Sequence, residues 1–146
     1  MVNQPGDASI PLAKRLMTLR IIWFALLFGE CAFAAIVLVF PHPPTSSPQP
    51  ILIYVNAAML FTLVPICFVI RMFLFRRSRL DGRIRFGAYS IGNIILWAGC
   101  DGVAFLGLVA AFINGSLWPT ILITAVPMGI QLITFPVARK LATSEL

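Results

Sequence analysis

Every lysine and arginine of this chain lies at the edge of a long apolar run or between two of them, and none lies in the middle of one. Lys14, Arg15 and Arg20 stand at the start of the first run. Arg71, Arg76, Arg77, Arg79, Arg83 and Arg85 gather around the junction of the second and third. Arg139 and Lys140 follow the fourth. Basic residues favour the cytoplasmic side of a membrane, so this placement predicts both termini and the middle loop in the cytoplasm. The composition agrees. Of the 146 residues, 60% are hydrophobic and 11% charged, with a mean hydropathy of +0.95. A soluble domain carries about 25% charged residues, and one this small could not hide so much apolar surface from water. A soluble globular domain, a disordered chain and a nucleic-acid-binding module are all excluded on these grounds. The net charge of +6 is used for topology, and no nucleic acid is expected as a partner.

A membrane-crossing helix needs about 20 mostly apolar residues. Four runs qualify, at about 19–40, 51–75, 88–113 and 119–138. The expected fold is an all-α membrane protein, one domain over residues 1–146, with four transmembrane helices. Its expected location is the inner (cytoplasmic) membrane. A proline-rich outer loop, 41–50, separates the first two runs and holds the lone His42, which is expected to be solvated. The first apolar run is too long for the core of a cleaved signal peptide. A shift of 72 residues superimposes Ile22, Ala32, Phe33, Val37 and Phe40 on Ile94, Ala104, Phe105, Val109 and Phe112. This raises the possibility of two tandem helical hairpins in the same orientation, a parallel repeat.

The polar residues inside the spans carry the functional information. Glu30 and Asp101 fall near the middle of the first and third spans, and Thr62 and Gln131 reach a similar depth on the second and fourth. A central polar layer of Glu30, Asp101, Gln131 and Thr62 follows. A carboxylate at mid-membrane costs about 2.5–3.5 kcal/mol on insertion scales. It must therefore carry a proton, find a partner or face water. No basic residue lies at that depth, so the expected partners are the second acid, Gln131 or Thr62. Such a layer serves either as a proton or cation site or as glue between helices. Trp23 and Glu30 share a helix face, as do Trp97 and Asp101, so each Trp either lines a cavity or packs.

Small residues at four-residue spacing allow close helix approach. Ala25 with Gly29, Ala98 with Gly102, and Gly107 with Ala111 have that spacing, and Ala25, Gly29, Ala98, Gly102 and Gly107 are the expected packing positions. Pro65, Pro127 and Pro136 are expected to kink the second and fourth helices. Cys31 and Cys100 adjoin the two acids, but neighbours on a helix point about 100° apart and cannot readily share one ligand sphere, so no metal is expected. No cofactor, catalytic constellation or phosphate-binding glycine loop is visible, and the chain is not expected to be an enzyme.

Two resemblances add to this reading. The opening 19–27, the stretch from Cys100-Asp101-Gly102-Val103-Ala104-Phe105 to Gly115, and Phe135-Pro136-Val137-Ala138-Arg139 resemble an uncharacterised bacterial family of small four-helix integral membrane proteins. Asp101 stands where that pattern favours Glu. Glu30 in the first helix, with Tyr89 and Trp97 in the third, is more faintly similar to the small multidrug resistance transporters. This chain departs from them in its greater length, its long basic middle loop and its second acid. The leading expectation is an accessory or assembly subunit of a larger membrane complex, partnered by lipid and by other membrane subunits or a second copy. The alternative is a small proton- or cation-coupled transporter or channel using Glu30 and Asp101.

Overall fold

A computed structural model of the chain describes residues 12–40, 50–80, 83–115, 118 and 120–137. The tail before Leu12, the loop containing His42, and Arg139 with Lys140 lie outside the described residues. Four helices follow in order: α1 (Leu12–Val39), α2 (Pro50–Arg77), α3 (Phe86–Asn114) and α4 (Thr120–Ile133). Between α2 and α3 two short strands, β1 (Arg79–Leu80) and β2 (Arg83–Ile84), pair antiparallel, with Arg79 opposite Ile84 and Leu80 opposite Arg83. The sequence analysis did not anticipate this hairpin. Its connection, Asp81-Gly82, is a dipeptide favoured in two-residue hairpin turns.

α1, α2 and α3 are long and apolar enough to cross a membrane. At 1.5 Å per residue each extends more than about 40 Å, beyond the roughly 30 Å of a hydrocarbon core. Their ends obey helix chemistry. Pro50 opens α2, where a missing N–H costs nothing. Arg76 and Arg77 occupy its last turn, where cations favour the negative pole of the helix. Gly115 closes α3 at φ 61°, the left-handed conformation that glycine adopts without strain. The starts of α1 and α3 and the last turns of α2 meet in one cluster of Leu16, Leu19, Phe75, Ile84, Tyr89 and Trp97. The basic residues of these segments therefore share one end of the bundle.

α4 corrects the fourth expected span. It covers 14 residues, about 21 Å. After Ile133 the chain turns at Thr134 and runs non-helical through 135–137. Pro136 is the reason: it cannot donate to a helical ladder, and it pushes the residue before it toward extended backbone. The non-helical stretch lies along α3 between the levels of Trp97 and Tyr89.

α3 is the hub. Half of its apolar window is buried, against 11% for α1 and for α2, and it packs on each of the other three helices. The outer faces of α1 and α2 expose Phe24, Phe28, Phe61 and Phe73, the surface a lipid-facing helix needs. α1 and α2 pack on α3 rather than closely on each other, so the first two helices do not form a packed hairpin equivalent to α3–α4. Instead α1 meets α3 at near-constant offset: Phe33 stacks on Phe105 with ring centroids 5.3 Å apart, and Val37 packs with Leu108 and Ala111.

Two glycines that the small-residue pattern passed over hold α2 against α3. A Cβ at Gly99 would lie 2.6 Å from Cys67 Sγ, and one at Gly92 would lie 2.9 Å from Phe75 Cε1 and 3.5 Å from Arg71 Cα. Gly107, an expected packing position, does lie at a close approach: a Cβ there would overlap Thr124 Oγ1 and come within 2.7 Å of Asn56 Nδ2. The other four expected positions are corrected. A Cβ at Gly29 or Gly102 would meet nothing within 4 Å, and Ala25 and Ala98 are exposed. All four point away from the helix contacts of the chain. Gly99→Val is expected to destabilise the bundle by about 1–3 kcal/mol through overpacking, while Gly102→Val leaves it unchanged. Thermal unfolding in detergent checks the contrast, and equal effects at the two sites would refute this packing.

Candidate functional site

Three of the four expected polar residues converge inside the bundle. Glu30 on α1 and Gln131 on α4 are fully buried, and Asp101 on α3 is partly so. Gln131 Nε2 donates to Glu30 Oε1 in a short hydrogen bond. The Glu30 and Asp101 carboxyls lie close enough across the α1–α3 contact for the charge of one to bear on the other. Buried Glu30 Oε2, Asp101 Oδ1 and Gln131 Oε1 have no hydrogen-bond partner. Two facing carboxylates are acceptors only, so they can bond to each other only when one carries a proton. The arrangement is two neighbouring acids, one of them held by an amide.

Thr62 is not part of this layer. Its side chain is exposed, and its hydroxyl donates to Ala58 O at 2.7 Å on its own helix. A threonine can satisfy itself against the preceding turn, so its depth in a span says little about where it points.

The amide is held in place by the way α4 ends. The last carbonyls of a helix lack intrahelical donors, and hydrocarbon supplies none. Trp23 on α1 and Thr134 just past the helix supply them here, with α3 holding Thr134 and Val137 in place. Trp23 Nε1 donates to Gln131 O at 2.9 Å. The Thr134 hydroxyl donates to Ile130 O at 2.8 Å and accepts from Trp97 Nε1 at 2.9 Å. Val137 N donates to the Tyr89 hydroxyl at 3.1 Å. Phe135 meets Trp23 edge-to-face at 4.9 Å and lies 5.5 Å from the Arg20 guanidinium carbon. Trp23 and Trp97 were expected either to line a cavity beside an acid or to pack; both pack in the cluster at the basic end, and both also hydrogen-bond at the end of α4, which fixes the depth at which Gln131 meets Glu30.

A second set of polar residues escaped the sequence reading. Asn56, Thr120 and Thr124 are buried, and both polar side-chain atoms of Asn56 and both threonine hydroxyls lack partners. Asn56 and Thr124 sit against Gly107, on the side of the acid pair away from the basic end. Asn93 is also fully buried and donates to Tyr89 O at 2.8 Å. The available signal was an amide inside an apolar run, the same one that picked out Gln131. Cys31 faces outward while Cys67 and Cys100 are buried, and among the described residues no group of three or more His, Cys, Asp or Glu side chains converges.

Comparison with protein-family models, with curated proteins and with solved structures finds no match. The two resemblances given above rest on the residues that carry them.

Gln131→Leu removes a buried hydrogen-bond donor to Glu30 and is expected to cost about 1–3 kcal/mol. A double-mutant cycle with Glu30→Leu is expected to give a coupling of about 0.6–1.7 kcal/mol, the range of hydrogen bonds between membrane helices. Denaturant unfolding in mixed micelles measures it, and additive single effects would show that the two side chains do not interact.

Proposed function

We propose that this chain is a four-crossing protein of the cytoplasmic membrane, with both termini on the cytoplasmic side, that binds and releases a proton at mid-membrane in the course of proton- or cation-coupled transport. One observation carries the reading: Glu30 and Asp101, from distant parts of the chain, meet inside the bundle with unpartnered carboxyl oxygens. Ionisable groups inside a membrane are costly and characteristically mark proton or ion pathways. A proton on the pair satisfies both carboxyls, and its loss leaves a negative charge that a cation can compensate. Gln131 supports the deprotonated form by donating to Glu30.

The fourth crossing consists of α4 continued by the turn at Thr134 and the non-helical stretch 135–137. A strand advances about 3.3 Å per residue against 1.5 Å in a helix, so a few residues cover the level from Trp97 to Tyr89. Single-cysteine labelling in a background lacking native cysteines tests this topology. A cysteine at Ser78 and one at Thr143 are expected to label from the same side of sealed vesicles, and one at Ser46 from the other. Labelling of Thr143 from the side of Ser46 would refute a fourth crossing.

The transport reading predicts proton uptake into proteoliposomes driven by an imposed membrane potential, lost in Glu30→Gln and in Asp101→Asn. Undiminished uptake in both variants would overturn it. A second reading, an accessory or assembly subunit of a larger membrane complex, is favoured by the unfilled positions at Gly29 and Gly102 and by the partial exposure of Asp101. It predicts stable co-purification with larger membrane partners after gentle solubilisation, and a lone monomer would count against it.

A further inference from the structure

Arg71 is the basic residue placed deepest into α2 from its Arg77 end, about 9 Å inside at the helical rise. It is half-buried, and its guanidinium carbon lies 4.9 Å from the Phe75 ring and 5.7 Å from the Phe68 ring. Gly92 lets α3 close against it, with a Cβ there coming within 3.3 Å of Arg71 Cγ. A guanidinium carries five N–H donors in its plane. Stacking on aromatic rings engages the face of the guanidinium rather than the donors at its edge, and Arg71 Nε is buried with no hydrogen-bond partner.

Arg71 lines two cavities at the basic end. One, of about 390 Å³, also has Tyr89, Thr134 and Phe135 in its walls. The other, of about 250 Å³, brings Arg76 and Arg79 beside Arg71. Among the described residues no carboxylate lines either cavity. In the larger one the Tyr89 and Thr134 hydroxyls are already engaged with Val137, Ile130 and Trp97, so the guanidinium is the group with donors to offer.

We propose that this cleft binds a phosphate group, with Arg71 as its principal donor and Arg76 and Arg79 contributing charge from the adjoining cavity. Arginine matches phosphate through paired N–H donors, and basic pockets between membrane helices accept lipid headgroups. The phosphate is carried either by an anionic phospholipid, whose chains would lie on the exposed apolar face of α2, or by a soluble phosphate compound. The assignment is independent of the acid pair.

The test uses the purified full chain in detergent. Thermal shift and native mass spectrometry are recorded with phosphatidylglycerol, with phosphatidylcholine and, separately, with inorganic phosphate. Phosphatidylglycerol is expected to raise the melting temperature of the wild type and to remain bound, with affinity at least about tenfold weaker in Arg71→Gln, a difference of about 1.4 kcal/mol. Arg15→Gln, at the same end on α1, is expected to leave binding within about twofold. A response to phosphatidylglycerol alone assigns a lipid headgroup, and a response to inorganic phosphate that Arg71→Gln abolishes assigns a soluble ligand. Equal losses in Arg71→Gln and Arg15→Gln would reduce the effect to general attraction by the basic end and overturn the site, as would no response to either probe. If Arg71→Gln does not fold, Arg71→Lys decides: at least a threefold loss supports the paired-donor geometry, and unchanged binding overturns it.

Discussion

Hydrocarbon forms no hydrogen bonds, and that constraint organises this bundle. Each backbone N–H and C=O carried into the apolar zone must meet a partner within the chain, and each polar side chain there that lacks one is costly. α3 is where most of those meetings occur: it bears Asp101, Asn93, Tyr89 and Trp97, and its glycines at 92, 99 and 107 let neighbouring helices come close enough to reach them. α1 and α2 are apolar over most of their outer surface and bring only a few polar side chains inward, Glu30 and Asn56 among them. Such an arrangement concentrates both the close packing and the chemistry on one rod, with the other three supplying partners.

The three long helices were legible because apolar runs bounded by basic clusters have little else to be. Glu30, Asp101 and Gln131 were legible for a related reason: a carboxylate has no donor to offer the carbonyls of its own helix and must look across, and Gln131 is a donor that it finds. Thr62 misled because a short hydroxyl does have that option, in the carbonyl of Ala58. Small-residue spacing misled at Ala25, Gly29, Ala98 and Gly102 because spacing identifies a common face without saying where it points. The glycines at the α2–α3 contact, Gly92 and Gly99, lie seven apart and share a face just as well.

The end of α4 was the least legible element. Pro136 signalled an irregularity, but the groups that make an early end tolerable come from far away in the chain: Trp23 reaches Gln131 across 108 residues, and Tyr89 reaches Val137 across 48. No local pattern encodes such contacts. The 72-residue shift is not matched by two like hairpins. Phe33 and Phe105, superimposed by the 72-residue shift, do stack on each other, yet α1–α2 and α3–α4 do not form matching packed pairs. Similarity along the chain survived in the register of α1 against α3 and not in the placement of the helices that follow them.

The carbonyls and amide at the close of α4 have a consequence for how the protein is made. A stretch whose main chain is satisfied by Trp23 and Tyr89, and whose Thr134 hydroxyl is held by Trp97, has no stable place among lipid tails until those side chains are in position. Ribosomal synthesis delivers all three first. The final segment is thus a passenger in membrane insertion, seated on a template that the earlier helices have already assembled, and a lesion in that template would be felt first as a failure of the last segment to settle.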